Sequence, residues 1–438
     1  MTAGSRGDVA PYTGLGHGLL RAGHEVTLVT HARFEPLVAG SGMRFHPLPV
    51  DPRAELESSR GRGLHRSATD AGKLLRVVSM ARALVGRMTE DLLAAARTSD
   101  MLLLSGAVAP LGLAMAEGLA LPSLGVYLQP MAPTREFGPP LLGDRSLGGA
   151  GNRLAGHGVN LAVERVFATA VPALRARLGL PASRTGPARR DRERRGWPVQ
   201  HGFSPLVVPR PHDWRPGLDI SGYWWPYDTG ARLPVAVRDF LAAGPPPVFV
   251  GLGSATVPDA RGLSGLVVRA LRRAGLRGVI QRGWGGLTAD GTDGTDGTDR
   301  DDKDDRSGGG GGGRDDGHDG DDMLTIGETA HSALFPHMAA VVHHAGAGTT
   351  AAGLRAGVPA VPLPVQFDEA FWAARLVALG VAPCALPLRR VTEDALGAAL
   401  VRAVGRPSHR ARAQALGARI RAEDGVAPVL AAVDRLGG

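Results

Sequence analysis

The chain is short of cysteine and of long apolar runs. It has one cysteine, Cys384, among 438 residues, which excludes an intrachain disulfide and a cluster of thiolates around a structural metal. No run approaches the roughly 18 apolar residues that a membrane helix needs, and the N-terminal segment MTAGSRGDV lacks the apolar core of a signal peptide. The composition therefore predicts a soluble, cytoplasmic chain, with peripheral contact at the inner membrane face left open.

Lysine is also scarce, and the charge is unevenly distributed. Lys and Arg total 50 against 42 Asp and Glu, a formal net charge of +8. A low-complexity segment at 287–322, rich in Asp and Gly, carries −9, so the remainder carries +17. That segment has nothing apolar to bury and is predicted to be a disordered insert. The arginines are scattered rather than gathered in a stripe, which argues against nucleic acid as a partner.

Short apolar runs alternate with helical segments along the chain. HEVTLVTH, DMLLLSG, PPVFVGLGS and AAVVHHAG each end at Gly, Ser or His, and Ala/Leu/Arg segments with helical spacing separate them. This pattern is typical of an α/β protein with parallel sheets. The length predicts two or three domains. A segment at 208–233 that is rich in Pro, Gly and aromatic residues is predicted to be a linker between two of them, 1–207 and 234–438.

The front of the chain lacks an expected element. GSRGDVAPYTGLGHGLLRAGHEV predicts a strand-to-helix loop and a helix, followed by a strand at Glu25 to Thr30, yet only Met1 to Ala3 precede the loop. In a doubly wound sheet the first strand is usually central and buried on both faces. We therefore expect either a true start upstream of Met1 or a damaged first domain.

A Gly-rich turn is the strongest sign of chemistry. In VVHHAGAGTT a predicted strand brings His343 and His344 to Gly346 and Gly348, and Thr349 begins a helix. Backbone N–H groups, an imidazole, a hydroxyl and the positive end of a helix dipole then point to one place, which favours phosphate. A capped turn without a ligand is the alternative. Neither the Walker pattern nor a dinucleotide fingerprint is present, so nucleotide hydrolysis and hydride transfer are disfavoured.

These segments resemble a known family. The nucleotide-sugar signature of inverting GT-B-fold glycosyltransferases, in the UDP-glycosyltransferase superfamily, is similar to the segment HHAGAGTTAAGLRAGVPAVPLP followed by Asp368 and Glu369. Within that superfamily the segment most resembles bacterial sterol-glucosyltransferase-like and antibiotic enzymes. VFVGLGS and QRGWGGL resemble further blocks, and the resemblance spans nearly the whole chain outside the insert. It implies two Rossmann-like domains facing one another across a cleft, the N-terminal one for the acceptor and the C-terminal one for the nucleotide sugar.

The resemblance also implies a role for individual residues. Asp8 corresponds to the catalytic base that withdraws the proton of an acceptor hydroxyl. His344 corresponds to the contact with the donor diphosphate. Asp368 and Glu369 correspond to the pair that holds the sugar hydroxyls, although that pair is usually Asp-Gln. The other donor-side candidates are Gly253, Ser254, Trp284, Gly346, Ala347, Gly348 and Thr349.

The implied reaction moves a hexose from a UDP- or dTDP-sugar to a hydroxyl of a hydrophobic acceptor, without a metal or cofactor. The acceptor is expected to be a sterol-like lipid or a polyketide or peptide product of bacterial secondary metabolism. His31, at the end of a strand, is a candidate for the acceptor pocket, and an N-cap of the following helix is the alternative role for Asp8. A sugar-nucleotide epimerase of the same fold and a catalytically idle auxiliary binding protein remain alternative functions.

Overall fold

The described part of the chain forms two compact units. A computed structural model describes residues 1–51, 70–183, 185–228, 230, 232–255, 257–289 and 322–437. The first unit is Met1–Thr229 with Ala422–Gly438, and the second is Gly230–Arg421. Most of the predicted disordered insert therefore lies outside the described residues.

Every strand pair in the described residues is parallel. This confirms the predicted α/β class with parallel sheets. The strands are β1 Thr27–His31, β2 Arg44–Leu48, β3 Leu102–Leu104, β4 Ser123–Tyr127, β5 Val199–His201, β6 Leu218–Ile220, β7 Val248–Gly251, β8 Gly278–Gln281, β9 Met323–Ile326, β10 Ala340–His343 and β11 Ala360–Pro362.

Helices follow most of the strands. None of those in the described ranges is long and apolar enough to cross a membrane. The helices are α1 Ala10–Arg21, α2 Glu35–Val38, α3 Asp70–Ala96, α4 Ala109–Gly118, α5 Gly148–Val166, α6 Ala170–Arg177, α7 Thr185–Arg194, α8 Val235–Ala242, α9 Ala260–Arg273, α10 His331–Leu334, α11 Ala347–Ala356, α12 Glu369–Ala378, α13 Glu393–Gly405, α14 Pro407–Arg421 and α15 Ala427–Gly437.

Helix α9 shows how the sequence sets a helix against its sheet. The Asp259 side chain accepts a hydrogen bond from the Gly262 N–H at 2.7 Å and so caps the helix at its start. Leu263, Val267 and Leu271 recur every four residues and are buried in the core around β7 and β8. Helical periodicity therefore places one apolar face of α9 on the sheet.

In the first unit, Met1–Ala3 lies between β1 and β3. The Thr2 N–H donates to the Val29 carbonyl at 3.0 Å. On the other side, the Met1 amino group donates to the Leu103 carbonyl at 2.8 Å. These contacts connect the pair β1–β2 with the sheet β3–β4–β5–β6. The place expected for the missing first strand is therefore partly filled by these residues.

The predicted linker differs from the structure over most of its length. Residues 218–220 form β6, which pairs with β5 in the first unit. The Trp214 indole donates to the Ala132 carbonyl at 3.3 Å, and the Trp224 indole donates to the Gly425 carbonyl at 2.9 Å. Aromatic residues that the sequence placed in a linker are thus buried in the first unit, where their apolar area stabilises the core.

The end of the chain also packs with the first unit rather than with the predicted second domain. Val429 and Val433 of α15 belong to the same buried cluster as Val9 and Leu124. The apolar stripe of α15 explains this packing, because valines four residues apart share one face of a helix.

The second unit contains the sheet β11–β10–β7–β8–β9. Its central strand β7 is buried along its whole length, with Val248 and Phe249 at 0% exposure. The core of the unit therefore lies on both faces of this sheet, as expected for parallel strands covered by helices.

The predicted insert boundaries at 287 and 322 are wrong at both ends. Leu287 is 1% exposed and packs in the core of the second unit. The Ala289 N–H donates to the Thr325 hydroxyl at 2.9 Å. Asp322 forms an ion pair with Arg272 at 2.8 Å. Apolar burial and paired polar groups thus fix 287–289 and 322, and residues 290–321 lie outside the described part of the chain.

Candidate functional site

The candidate donor site lies at the carboxyl edge of the sheet β11–β10–β7–β8–β9 in the second unit. The chain moves outward from β7 to β8 and β9 and then returns to place β10 on the other side of β7. Ligands of open parallel sheets bind outside the strand ends at such a reversal. The register sets Gly251 beside His343, so the loops that follow β7 and β10 meet at this position.

Two glycines make room for the His344 ring. A Cβ added at Gly253 would lie 2.9 Å from Cε1 of His344, and one added at Gly346 would lie 2.4 Å from its Nε2. Both distances are too short for a contact between atoms that are not bonded. The φ angle of Gly253, +56°, is also one that glycine adopts at little cost. The two Gly-rich turns singled out in the sequence therefore enclose the same imidazole.

His344 is neutral near pH 7. Burial lowers its pKa to about 4, so the ring offers a hydrogen bond rather than a positive charge. Within the described residues its buried Nδ1 has no hydrogen-bond partner. A buried polar atom without a partner suits a ligand that is absent here. His343 differs, because its Nδ1 accepts from the Ala345 N–H at 3.1 Å and the side chain is held inside the sheet.

The N-terminus of α11 lies at the same carboxyl edge of the sheet as His344; we call this edge, with the loops after β7, β8, β10 and β11, the donor edge. Gly346 precedes the helix, and no side chain of the described residues caps it. Ala347, Gly348 and Thr349 are partly exposed. The first N–H groups of a helix lack partners within the helix and carry its positive dipole end. The predicted phosphate-binding group is thus brought together around His344.

Ser254 and Trp284 lie beside this group. Ser254 follows Gly253 and is partly exposed. The Trp284 N–H donates to the Gly253 carbonyl at 2.9 Å, which ties the loop after β8 to the loop after β7. The structure therefore places both predicted residues at the donor edge, and Trp284 supports the turn through its backbone.

The loop between β11 and α12 carries the predicted sugar pair. Oδ2 of Asp368 accepts from the Trp372 indole at 2.7 Å. Oε2 of Glu369 accepts from the Val365 and Gln366 N–H groups at 2.6 and 2.8 Å. Burial raises the pKa of Glu369 to about 7 despite these two bonds, which act in the opposite direction. The two neighbouring carboxyls therefore have different surroundings.

Asp8 lies at the carboxyl edge of the first unit, in a 3-10 turn over Arg6–Asp8. Its Oδ2 accepts from both the N–H and the hydroxyl of Ser5 at 2.9 Å. Helix α1 begins after Val9 without a side-chain cap. The alternative role of Asp8 as the N-cap of this helix is therefore wrong, because the carboxylate bonds backward to Ser5.

His31 holds the loop that carries Asp8, residues 4–8, through a hydrogen bond with Gly4. Its side chain is 2% exposed, and its Nε2 accepts from the Gly4 N–H at 3.0 Å. Burial lowers the pKa of His31, so the ring remains neutral and can accept this bond. The structure gives His31 a position beneath the loop rather than an open position beside a ligand.

Sequence reasoning missed Ser5, which orients the Asp8 carboxylate. Ser5 and Asp8 have the Ser-x-x-acid spacing of a capping box, and that spacing is the signal that could have identified the pair. Among the described residues no group of three or more His, Cys, Asp or Glu side chains could hold a metal ion. Independence from metal remains a prediction.

Two family models match the chain. The N-terminal domain of glycosyltransferase family 28 matches residues 1–137. The C-terminal domain of the erythromycin biosynthesis protein CIII-like family matches residues 319–433. These matches include Asp8 and the loops that follow β10 and β11, whereas Gly253, Ser254 and Trp284 lie outside them. The chain thus carries an N-terminal domain of glycosyltransferase family 28 and a C-terminal domain of the erythromycin biosynthesis protein CIII-like family.

Proteins similar to this chain include sterol 3-beta-glucosyltransferases. One from Neosartorya fischeri is 30% identical over 447 residues, which cover 99% of this chain and 29% of the relative. Sterol 3-beta-glucosyltransferase UGT80B1 of Arabidopsis thaliana is 29% identical over 448 residues, which cover 99% of this chain and 67% of the relative. The chain thus spans about three tenths of the length of the fungal relative.

Solved structures confirm the predicted GT-B fold. The glycotransferase of kitacinnamycin matches with a TM-score of 0.66 and 19% identity, covering 99% of this chain and 97% of the other. The glycosyltransferase VinC in complex with DTDP matches with a TM-score of 0.61 and 19% identity, covering 99% and 98%.

Proposed function

We propose that the chain transfers a hexose from a UDP- or dTDP-sugar to a hydroxyl of a hydrophobic acceptor, with inversion at the anomeric carbon. The observation that carries the proposal is the convergence of His344, two Gly-rich turns and the start of α11 at the reversal point of one sheet. Backbone N–H groups at a helix start suit a diphosphate. Sterol glucosyltransferases among the relatives support a sterol-like acceptor. The match to a family named for erythromycin biosynthesis supports a polyketide or peptide acceptor.

The reaction needs a base and a stabilised leaving group. The acceptor oxygen attacks the anomeric carbon from the side opposite the diphosphate, while its proton passes to the Asp8 carboxylate. The bond from the anomeric carbon to the diphosphate oxygen breaks, and the nucleoside diphosphate leaves with the electron pair. His344 and the first N–H groups of α11 stabilise the growing negative charge. We propose that no metal ion is required, so chelation should leave the rate unchanged.

The test is mass spectrometry of products formed from mixed UDP- and dTDP-sugars with a library of sterols and polyketide aglycones. The expected result is a product heavier than its acceptor by one hexose residue, abolished in His344→Ala. Epimerised donor formed without an acceptor would instead establish the epimerase alternative. Binding of nucleoside diphosphate without any turnover would establish an auxiliary binding protein.

We further propose that the first unit contacts an anionic membrane surface from the cytoplasm. Leu142, Leu147 and Leu154 are 65%, 62% and 73% exposed; Leu154 lies in α5, and Leu147 directly precedes that helix. Exposed Arg145 and Arg153 flank them. Leucines beside arginines suit a helix that lies in the lipid headgroup region.

The membrane proposal is tested by sedimentation with vesicles. The wild type should bind vesicles that contain phosphatidylglycerol more strongly than phosphatidylcholine vesicles. Serine at Leu142, Leu147 and Leu154 together should remove binding, whereas Val401→Ser should not, because Val401 is an exposed apolar residue of the second unit. Equal binding by both variants would contradict the proposal.

A further inference from the structure

The loop from β11 to α12 has an unusual internal anchor. It begins after Pro362 and ends at Asp368, immediately before α12. Inside it, the Val365 and Gln366 N–H groups both donate to one oxygen of Glu369, the first residue of that helix. Hydrogen bonds from backbone amides to a carboxylate are short and strong. The helix thus holds the loop that leads into it.

The same loop contains strained backbone. Phe367 has a φ of +52°, which is rare for a residue with a side chain and costs roughly 1 kcal/mol or more. Such a conformation persists only where neighbouring contacts enforce it. The two amides held by Glu369 directly precede Phe367, and Asp368, bonded to the Trp372 indole, directly follows it. The strained residue is therefore fixed on both sides.

The surroundings of Glu369 and Asp368 separate their roles. Glu369 is 6% exposed, and its bonded oxygen is directed at the loop backbone. Asp368 is partly exposed at the carboxyl edge of the sheet, and buried Trp372 fixes its orientation. A side chain enclosed by its own loop is poorly placed to hold a sugar hydroxyl, whereas its partly exposed neighbour is well placed.

We propose that Glu369 is a positioning residue of the donor site, which shapes the 363–368 loop so that Asp368 meets the sugar, and that Glu369 does not itself bind the sugar. This inference rests on the proposed function for the identity of the ligand. It differs from the role that the family resemblance implied for Glu369, since that role was direct contact with the sugar hydroxyls.

Substitutions at this position distinguish anchoring from sugar contact. The carbonyl oxygen of a glutamine has two lone pairs and can accept both amide N–H groups, so Glu369→Gln should preserve the loop. Glu369→Ala removes the acceptor and leaves two amides without their partner. Glu393→Gln is the matched control, because Glu393 is also the first residue of a helix in the second unit but pairs with Arg269.

The first measurement is amide hydrogen exchange of Val365 and Gln366, which needs no substrate. Exchange in Glu369→Ala should be faster than in the wild type by about tenfold or more, since local opening would no longer break the two bonds. Glu369→Gln and Glu393→Gln should stay within roughly threefold of the wild type. Unchanged exchange in Glu369→Ala would overturn the proposal whether or not the chain is a transferase.

The second measurement separates KM from kcat with the donor found in the product assay. Glu369→Ala should raise the nucleotide-sugar KM by roughly tenfold, while the Kd for nucleoside diphosphate alone changes by less than about threefold. Glu369→Gln should restore the wild-type KM. A raised KM in Glu369→Gln with protected amides would mean that Glu369 touches the sugar, and it would overturn the proposal. No transfer by the wild type would refute the proposed function, and hydrogen exchange would still decide the anchoring role.

Discussion

At the scale of single residues, Asp8 has the features of a base that is held in place. Ser5 donates two hydrogen bonds to one carboxylate oxygen, and the side chain is only partly buried. Donors to a carboxylate favour its charged form. Asp8→Asn should therefore lower kcat by about 100-fold while leaving the Kd for nucleoside diphosphate unchanged, because only proton transfer is lost. Steady-state kinetics and calorimetry measure the two quantities.

Glu25→Gln is the control for this substitution. Glu25 is an exposed carboxylate of the same unit, paired with Arg44 before β1 and thus away from the carboxyl edge. Its variant should keep the wild-type rate. An Asp8→Asn enzyme with unchanged kcat would remove Asp8 from the role of base.

The titration of Glu369 predicts a pH-dependent stability. Its pKa rises from 4.5 to about 7 in the folded state, through burial first and the neighbouring Asp368 charge in addition. The folded state therefore binds this proton more tightly, and the stabilisation is complete below pH 4.5 and lost as pH rises through 7. The unfolding free energy of the wild type relative to Glu369→Gln should fall by roughly 3 kcal/mol over this range.

Urea denaturation at a series of pH values measures this difference. A difference between wild type and Glu369→Gln that stays flat from pH 4.5 to 8 would contradict the raised pKa.

The sequence predicts the role of a residue well where a local pattern determines it, and less well where contacts with residues distant in the sequence determine it. His344 and its two Gly-rich turns were predicted from VVHHAGAGTT and VFVGLGS, and they meet because parallel strands end at one edge. The environment of Glu369 was not predictable from its match to a sugar-binding pair. Its burial depends on how the loop after β11 folds back onto α12.

At the scale of elements, helix α11 offers a paired test of two glycines. At Gly346 a methyl group would lie 2.4 Å from the His344 ring, whereas at Gly353, inside the same helix, it meets nothing within 4 Å. Gly346→Ala should displace the ring and weaken nucleoside diphosphate binding by about tenfold or more. Gly353→Ala should keep that affinity and stabilise the fold by roughly 0.5–1 kcal/mol.

Isothermal calorimetry and thermal unfolding measure the two effects. Equal affinities in the two alanine variants would show that the space beside His344 does not matter for binding.

The sequence predicted the strands that are continuous apolar runs and missed the short strand β6. β7 and β10 follow from PPVFVGLGS and AAVVHHAG, because buried parallel strands are continuous apolar runs. β6 has only three residues and lies in a segment rich in Pro and Gly. No local pattern marks such a strand, since its pairing with β5 is a tertiary contact.

At the scale of the whole molecule, the order of strands and helices in the sequence predicts two units. It does not predict that the C-terminal helix α15 returns to the first unit. α15 is an ordinary amphipathic helix, and its sequence does not reveal which core it joins. Val429 in the Val9 cluster is a contact between the two ends of the chain. Contacts at such separation are fixed by packing rather than by local propensity.

The net charge of the whole molecule can be changed by replacing the acidic segment 290–321, and its effect on donor binding can then be measured. The described ends lie close together, because Ala289 bonds to Thr325 only three residues after Asp322. A linker of about four residues can therefore replace 290–321. The replacement should leave the thermal midpoint within about 2 °C. It removes a net charge of −8, so it should lower the KM for the anionic donor by roughly twofold at low salt, and not at high salt.

A variant that keeps the length of 290–321 but carries serine at every aspartate separates charge from length. If charge acts, this variant and the shortened one should show the same salt-dependent fall in KM, because both raise the positive field that attracts a nucleoside diphosphate sugar. A fall in the shortened variant alone would assign the effect to length. A large drop in the thermal midpoint of the shortened variant would show that 290–321 stabilises the second unit.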